Sequence, residues 1–193
     1  VIDTDGRSLN FVDKRTAKDY CAKQPLQAFI VIRKEGRSYE PSRCSYVQGR
    51  LVFEFSQANI RVVVNAVARN HYFVFEVDTV SDEGIDELVL CGLRVSMSNY
   101  INWTSGVTSD GEFACCLRVL DSRVGFRLEG GVSPLLCAVC YPKHKVVGAK
   151  VALVGCPWDR LHAVLKEVVR KEGLPYSPIG GPFALDAEEN RGS

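Results

Sequence analysis

Histidine, tryptophan and methionine are scarce in this 193-residue sequence, which contains three, two and one of them, respectively. Neither sign of charge dominates, because 24 Lys and Arg residues stand against 23 Asp and Glu residues. Nucleic-acid-binding proteins usually carry a basic surplus, since the neutralisation of phosphates drives their affinity. No apolar run approaches the roughly 18–20 residues that span a bilayer. We therefore expect neither nucleic acid nor a membrane as a partner.

Recognisable catalytic and metal-binding patterns are also absent. His71, His144 and His162 lie in separate contexts, and none accompanies a nucleophile motif such as G-x-S-x-G. Cys137 and Cys140 have the spacing of half a zinc site, but no second pair of ligands accompanies them. In a strand these two positions also face opposite sides. We expect no metal and no cofactor.

Three features leave enzymatic or redox chemistry open as alternatives. Cys156 precedes a predicted helix, where a thiol can become reactive, although burial beneath the helix is the interpretation we favour. Glu76 and Asp78 share one face of a predicted strand, as a glycosidase carboxylate pair would, but solvent-facing residues show the same pattern. Cys21 and Cys44 lie in polar segments and could form a disulfide in a secreted protein.

The sequence is rich in strand patterns. At 46% hydrophobic and 24% charged residues, its composition is typical of a soluble globular protein. Runs of β-branched and aromatic residues, separated by short Gly, Asp and Ser turns, predict strands near 27–32, 50–55, 59–68, 71–78, 86–97, 112–120, 123–129, 135–141 and 150–154. They predict a mostly β domain over 27–175, an antiparallel β-sandwich of jelly-roll or supersandwich type. Residues 1–26 are expected to be an irregular N-terminal segment, and 176–193 a C-terminal linker.

One amphipathic helix is predicted over 158–172, near the C-terminus. Leu161, Leu165 and Val168 recur at the spacing of a single helix face, and charged residues occupy the opposite face. Pro157 suits the first turn of a helix, and Gly173 suits its C-terminal end. A helix this short needs a partner surface, so we expect its apolar stripe to pack on a sheet.

The segment 96–105 is the candidate ligand site. It combines Asn99, Tyr100, Asn102 and Trp103 in what the pattern predicts to be a loop between strands. Sugars have apolar C–H faces that stack on aromatic rings, and hydroxyls that pair with amides. The same segment contains Asn102-Trp103-Thr104, a formal N-glycosylation acceptor. The alternative is a loop in which Tyr100 and Trp103 are packing anchors.

The strand at 72–77, the acidic turn and strand that follow it, and the closure from 153–157 through the helix to 173–175 resemble a known class of modules. These are the non-catalytic β-sandwich modules beside the catalytic domains of large carbohydrate-active enzymes. The resemblance implies a module of a glycan-processing protein, such as a glycoside hydrolase, whose active site lies outside this chain. It implies carbohydrate or neighbouring domains as partners, and an extracellular or periplasmic location, while the free cysteines leave the cytoplasm open. It assigns no residue a role.

Two further classes of function stay open at this point. One is a structural or protein-interaction sandwich that binds no small ligand. The other is a small enzyme that uses Cys156 or the Glu76/Asp78 pair.

Overall fold

The computed structural model describes residues 1–82 and 84–174, and this part of the chain is built almost entirely from antiparallel strands. The strands are β1 (Arg7–Ser8), β2 (Val12–Asp13), β3 (Lys18–Asp19), β4 (Gln27–Ala28), β5 (Ile30–Lys34), β6 (Arg37–Tyr39), β7 (Arg43–Val47), β8 (Arg50–Phe55), β9 (Ile60–Ala68), β10 (Tyr72–Val80), β11 (Glu87–Arg94), β12 (Tyr100–Asn102), β13 (Val107–Ser109), β14 (Phe113–Val119), β15 (Val124–Glu129), β16 (Leu135–Cys140) and β17 (Lys150–Pro157). Short 3₁₀ helices span Pro142–His144 and Trp158–Arg160, and the α-helix α1 spans Leu161–Lys171.

Two large sheets organise these strands. The larger sheet has eight strands in the order β12-β13-β14-β17-β10-β9-β8-β7, and the smaller has five in the order β15-β16-β11-β5-β6. Two-stranded pairs, β1 with β4 and β2 with β3, supplement them in the N-terminal region. The predicted antiparallel β-sandwich is therefore confirmed.

The main core lies between the two sheets, and strand periodicity explains which side chains enter it. In β9, Ile60, Val62 and Val64 are buried in this core, while Arg61 between them points to solvent. Successive side chains of a strand point to opposite faces, so one face of β9 supplies the core. The five-stranded sheet contributes Leu88, Leu90 and Leu136, all nearly inaccessible.

Helix α1 covers the outer face of the eight-stranded sheet, as the amphipathic pattern predicts. Leu161, Val164 and Val168 are buried, and Leu165 is a partly buried neighbour of the same cluster. The sheet residues of this second core are Tyr72, Val74, Val107, Ala114, Cys116, Ala152, Val154 and Cys156. Val164 and Leu165 both lie on the predicted apolar face of the helix, and Val164 is the more deeply buried of the two.

The C-terminal end of α1 is tied to the sheet by a buried carboxylate. The side chain of Glu172 is only 3% exposed and lies 3.3 Å from Nζ of Lys150 and 3.6 Å from Nε of Arg69. The hydroxyl of Tyr72 donates a hydrogen bond to Oε1 of Glu172 at 3.1 Å. A buried charge needs such partners, so this cluster holds the helix end against β10 and β17.

The structure differs from the sequence patterns in two segments. The segment 36–45, for which the sequence predicts no strand, contains β6 and the start of β7, and the loop predicted over 96–105 contains β12, which pairs with β13. Residues 1–26 hold only three two-residue strands, but Tyr20 and Cys21 from this segment are buried in the main core.

The linker predicted over 176–193 lies outside the described residues. Among the residues described, no helix has the length and apolar character needed to cross a membrane.

Candidate functional site

The candidate segment forms a hairpin at one edge of the eight-stranded sheet. Within residues 1–82 and 84–174, strand β12 pairs only with β13, with Tyr100 opposite Ser109 and Asn102 opposite Val107. The row of directly paired residues that begins at Tyr100 continues across the sheet, because Ser109 pairs with Ala114 and Ala114 pairs with Cys156. Directly paired residues share a face of a sheet. Tyr100 and Asn102 therefore lie on the outer face of the sheet, which is the same face that α1 covers at β10, β14 and β17.

Asn102 fixes the turn of this hairpin. Its Oδ1 accepts hydrogen bonds from the backbone N–H groups of Thr104 (3.1 Å) and Ser105 (2.9 Å). Its Nδ2 donates to the hydroxyl of Tyr100 at 3.3 Å. Asparagine favours such positions because its short side chain can mimic a backbone turn. This role accounts for the residue type at position 102 and orients the Tyr100 ring.

Tyr100 also contacts an aromatic residue from a different element. Its ring centroid lies 5.0 Å from that of Trp158, with the ring planes tilted by 57°. Trp158 begins the 3₁₀ helix that leads into α1, and its backbone N–H donates to the carbonyl of Glu112 at 2.9 Å. This hydrogen bond fixes the backbone of Trp158 to the residue that directly precedes β14.

Three aromatic side chains at this edge are exposed to solvent. The exposed fractions are 43% for Tyr100, 51% for Trp103 and 36% for Trp158. We call these three residues the aromatic surface. Trp103 belongs to the β12–β13 turn, and in the described part of the chain it takes part in no ring-to-ring contact. Tyr100 packs against Trp158, but neither Tyr100 nor Trp103 is buried in a core.

Asn99 lies beside the aromatic surface and braces the neighbouring turn. Its Nδ2 donates to the backbone carbonyl of Asp110 at 3.0 Å, in the turn between β13 and β14. The Asp110 carboxylate accepts from Nζ of Lys18 at 2.6 Å and from the backbone N–H groups of Glu112 and Phe113. Burial alone would raise the pKa of Asp110, but these hydrogen bonds outweigh it and hold that pKa well below its usual range.

Cys156 lies beneath α1 and does not have the environment of a nucleophile. Its side chain is 1% exposed, and burial raises the pKa of its thiol to about 11. Reactive cysteines have a lowered pKa and partial exposure. Cys21 and Cys44, which the sequence placed in polar loop-like surroundings, are also buried and free, so the disulfide considered between them is not formed. The burial of Cys44 follows from its position on β7, where it faces the core.

Glu76 and Asp78 lie half-buried on the outer face of β10, next to Lys150 and Asn65. Nδ2 of Asn65 donates to Oδ1 of Asp78 at 3.4 Å, as on an ordinary polar sheet face. The enzyme alternatives therefore gain no geometric support from either Cys156 or this pair. Within 1–82 and 84–174, no three His, Cys, Asp or Glu side chains come together in a way that could hold a metal ion.

The sequence-predicted residues thus meet in one place, but sequence reasoning missed one member. Tyr100, Asn102 and Trp103 lie on the same hairpin, Asn99 lies next to it, and Trp158 joins them from the start of the helix segment. The sequence feature that could have identified Trp158 is its position directly after Pro157, at the predicted start of the helix. A large aromatic side chain at this position lies outside the apolar stripe of the helix.

Comparisons with known proteins include a distant structural likeness. No protein-family model matches the sequence, and no curated protein matches it. Among solved structures, the fold is similar to the α-N-acetylgalactosaminidase NagBb from Bifidobacterium bifidum, in its GalNAc complex, with a TM-score of 0.49 and 11% sequence identity. The likeness covers 89% of this chain, which spans 38% of the length of that enzyme.

Proposed function

We propose that this domain is a non-catalytic module of a larger glycan-processing protein, and that it binds carbohydrate on the aromatic surface. The observation that carries the proposal is the contact between Tyr100 and Trp158, two exposed rings from separate elements with centroids 5.0 Å apart. The apolar C–H faces of sugar rings can stack on exposed aromatic side chains of this kind. Large apolar groups at a protein surface commonly mark binding sites.

Polar groups beside the rings supply the second requirement for sugar binding. Nδ2 of Asn99 and Nδ2 of Asn102 each donate a hydrogen bond within the protein. A carboxamide nitrogen carries two hydrogens, so each side chain has a second donor for a sugar hydroxyl. Because their internal hydrogen bonds fix both amides, these donors would be preorganised for a ligand.

The expected affinity is modest. By analogy with the stacking of bases on aromatic side chains, each ring contributes roughly 1–3 kcal/mol. The loss of one ring should therefore weaken binding roughly 5- to 150-fold. A module of this kind becomes effective when neighbouring domains or repeated glycan units add to its binding.

The test is affinity electrophoresis of the domain through gels that contain a panel of neutral and acidic polysaccharides. Trp103→Ala and Trp158→Ala should each abolish the retardation that the wild-type domain shows. Tyr46→Ala is the matched control, because Tyr46 is a 67% exposed aromatic residue on β7, at the opposite edge of the same sheet. It should be retarded like the wild type.

Two results would overturn this proposal. One is a folded wild-type domain that no polysaccharide of the panel retards. The other is an equal loss of retardation in Tyr46→Ala, which would show that binding does not depend on the aromatic surface. In the first case the domain would be better described as a structural or protein-interaction sandwich, and in the second its carbohydrate site would lie elsewhere.

A further inference from the structure

An apolar cavity lies on the inner face of the eight-stranded sheet, where the N-terminal segment packs against β8, β9 and β10. Its volume is about 390 Å³, and fourteen residues line it. All of them except Ser8 and Asn10 are aliphatic or aromatic. Ligand pockets typically have volumes of roughly 300–1,000 Å³ and mostly apolar linings, so this cavity falls at the lower end of that range.

The cavity exists because the inner face of β9 changes from large to small side chains. Ile60, Val62 and Val64 fill the core between the sheets, but the next two residues on the same face are Ala66 and Ala68. Ala66 lies opposite Phe75, and Ala68 lies opposite Phe73. Alanine leaves unfilled the space that another valine or isoleucine would occupy, so a void opens beside the phenylalanine rings.

The phenylalanine rings give the cavity a flat aromatic wall. Phe73 and Phe75 are stacked, with centroids 6.2 Å apart and planes within 19°. Phe75 in turn meets Phe29 edge to face at 5.0 Å. Phe75 is only 6% exposed, whereas Phe73 is 46% exposed, so the outer ring of the stack is open to an incoming group.

Few polar groups line this cavity, and Ser8, Asn10 and the amino group of Val1 each form a hydrogen bond within the protein. Oγ of Ser8 donates to the carbonyl of Gly92 at 2.8 Å, and Nδ2 of Asn10 donates to the carboxylate of Asp19 at 2.5 Å. The amino group of Val1 donates to the carbonyl of Asn10 at 2.6 Å. Because twelve of the fourteen lining residues are aliphatic or aromatic, most hydroxyls of a bound sugar would lie against apolar groups, and a buried hydroxyl without a partner is costly.

We propose that this cavity is a second binding site, which takes a planar, uncharged aromatic molecule that stacks on Phe73. The ring wall selects a flat occupant, because aromatic groups prefer offset-stacked and edge-to-face arrangements. An apolar cavity of roughly 150 Å³ holds one benzene. A cavity of about 390 Å³ therefore matches an occupant of two or three fused rings. The site is separate from the aromatic surface and does not depend on the proposed function.

The test uses the full chain and the uncharged fluorescent probe N-phenyl-1-naphthylamine. The wild type should give a saturable increase in probe fluorescence with one site per chain, and 2-naphthol should displace the probe. Phe73→Ala should weaken probe binding about tenfold or more, since it removes the stacking partner. Ala66→Phe should weaken it similarly by filling the cavity. Phe73 is half exposed, so its truncation leaves the core intact even if Ala66→Phe fails to fold.

Matched controls separate the cavity from other apolar surfaces. Val67→Phe adds the same ring to β9 as Ala66→Phe, but Val67 is 41% exposed and faces the opposite side of the sheet. Val67→Phe and Trp103→Ala should both bind the probe like the wild type. The proposal is overturned if the wild type shows no saturable binding, if Trp103→Ala loses binding while Phe73→Ala retains it, or if decanol displaces the probe and 2-naphthol does not.

Discussion

The ring of Tyr100 lies against the ring of Trp158, with their centroids 5.0 Å apart and their planes tilted by 57°. This contact joins the edge strand β12 to the start of the helical segment that covers the same face of the sheet. Neither ring is enclosed by the pair, because Tyr100 stays 43% exposed and Trp158 36% exposed. The contact therefore creates an open two-ring surface and does not close a core.

The two tryptophans of the chain, Trp103 and Trp158, both belong to this surface, so intrinsic fluorescence should report ligand binding directly. A bound glycan should shift the emission to shorter wavelength and protect both rings from acrylamide quenching, because it excludes water from them. The single-tryptophan variants Trp103→Phe and Trp158→Phe would assign the change to each ring. Unchanged quenching of both rings, with a polysaccharide that retards the domain, would contradict a direct role for these residues.

Asp110 should contribute stability that depends on pH. Its pKa is lowered in the folded chain, so the contribution is complete above the unfolded value of about 3.9 and is lost as the pH falls toward the lower folded value. We expect Asp110→Asn to lower the free energy of unfolding near neutral pH, and the difference from the wild type to shrink below about pH 4. Urea unfolding of the wild type and of Asp110→Asn, near neutral pH and below about pH 4, measures this difference.

Lys18→Met provides the partner variant for this measurement, since Nζ of Lys18 lies 2.6 Å from the Asp110 carboxylate. The two single variants and the double variant form a cycle that isolates the pair. If the difference in free energy of unfolding between the wild type and Asp110→Asn stays constant across the acid range, the carboxylate charge is not the source of the stability.

The packing of helix α1 on the sheet should depend strongly on Val164. Val164 is 1% exposed against the outer face of the sheet, so Val164→Asp would bury a carboxylate without a partner. The expected loss in free energy of unfolding is about 3 kcal/mol or more. Ala163→Asp places the same group on the exposed side of the same helical turn and should change stability little. Equal melting temperatures for the two variants would argue against helix packing on the sheet.

The eight cysteines should resist alkylation in the native state. All eight are buried and free, and burial raises the pKa of Cys44, Cys137 and Cys156 to about 11. Because the thiolate is the reacting form, iodoacetamide should label the native chain slowly at neutral pH and add eight groups after denaturation without reductant. Intact-mass measurement counts them. Fast and selective labelling of Cys156 would revive the thiol-enzyme alternative.

The sequence predicted the elements whose signals are local. Phe73, Phe75 and Val77 alternate with neighbours on the other face of β10, and the apolar residues of α1 recur at helical spacing. Pro157 marks the start of α1 less well, because it ends β17 and a 3₁₀ helix over Trp158–Arg160 precedes α1. Both elements formed as expected, because periodicity is a property of a single segment and survives in any packing arrangement.

The hairpin β12–β13 was missed because its strand character comes from pairing and not from composition. Serine and asparagine make up half of the residues in 96–105, and these residues favour turns. Its strands form because β13 pairs with β14, which supplies backbone partners that are close in space. The contact between Tyr100 and Trp158 depends on the same row across β12, β13, β14 and β17, and no pattern within one segment could give that register.

The position of β17 determines how assembly of the larger sheet must proceed. Among the residues that the structure describes, β17 is the last strand, and it lies between β14 and β10. It therefore joins one group of strands, β12–β14, to another, β7–β10. A growing polypeptide therefore carries two unpaired strand edges until residues 150–157 have been synthesised. Such non-local pairing is slow to form, on the scale of milliseconds to seconds. During that interval the open edges of β14 and β10 are where misassociation between nascent chains would begin.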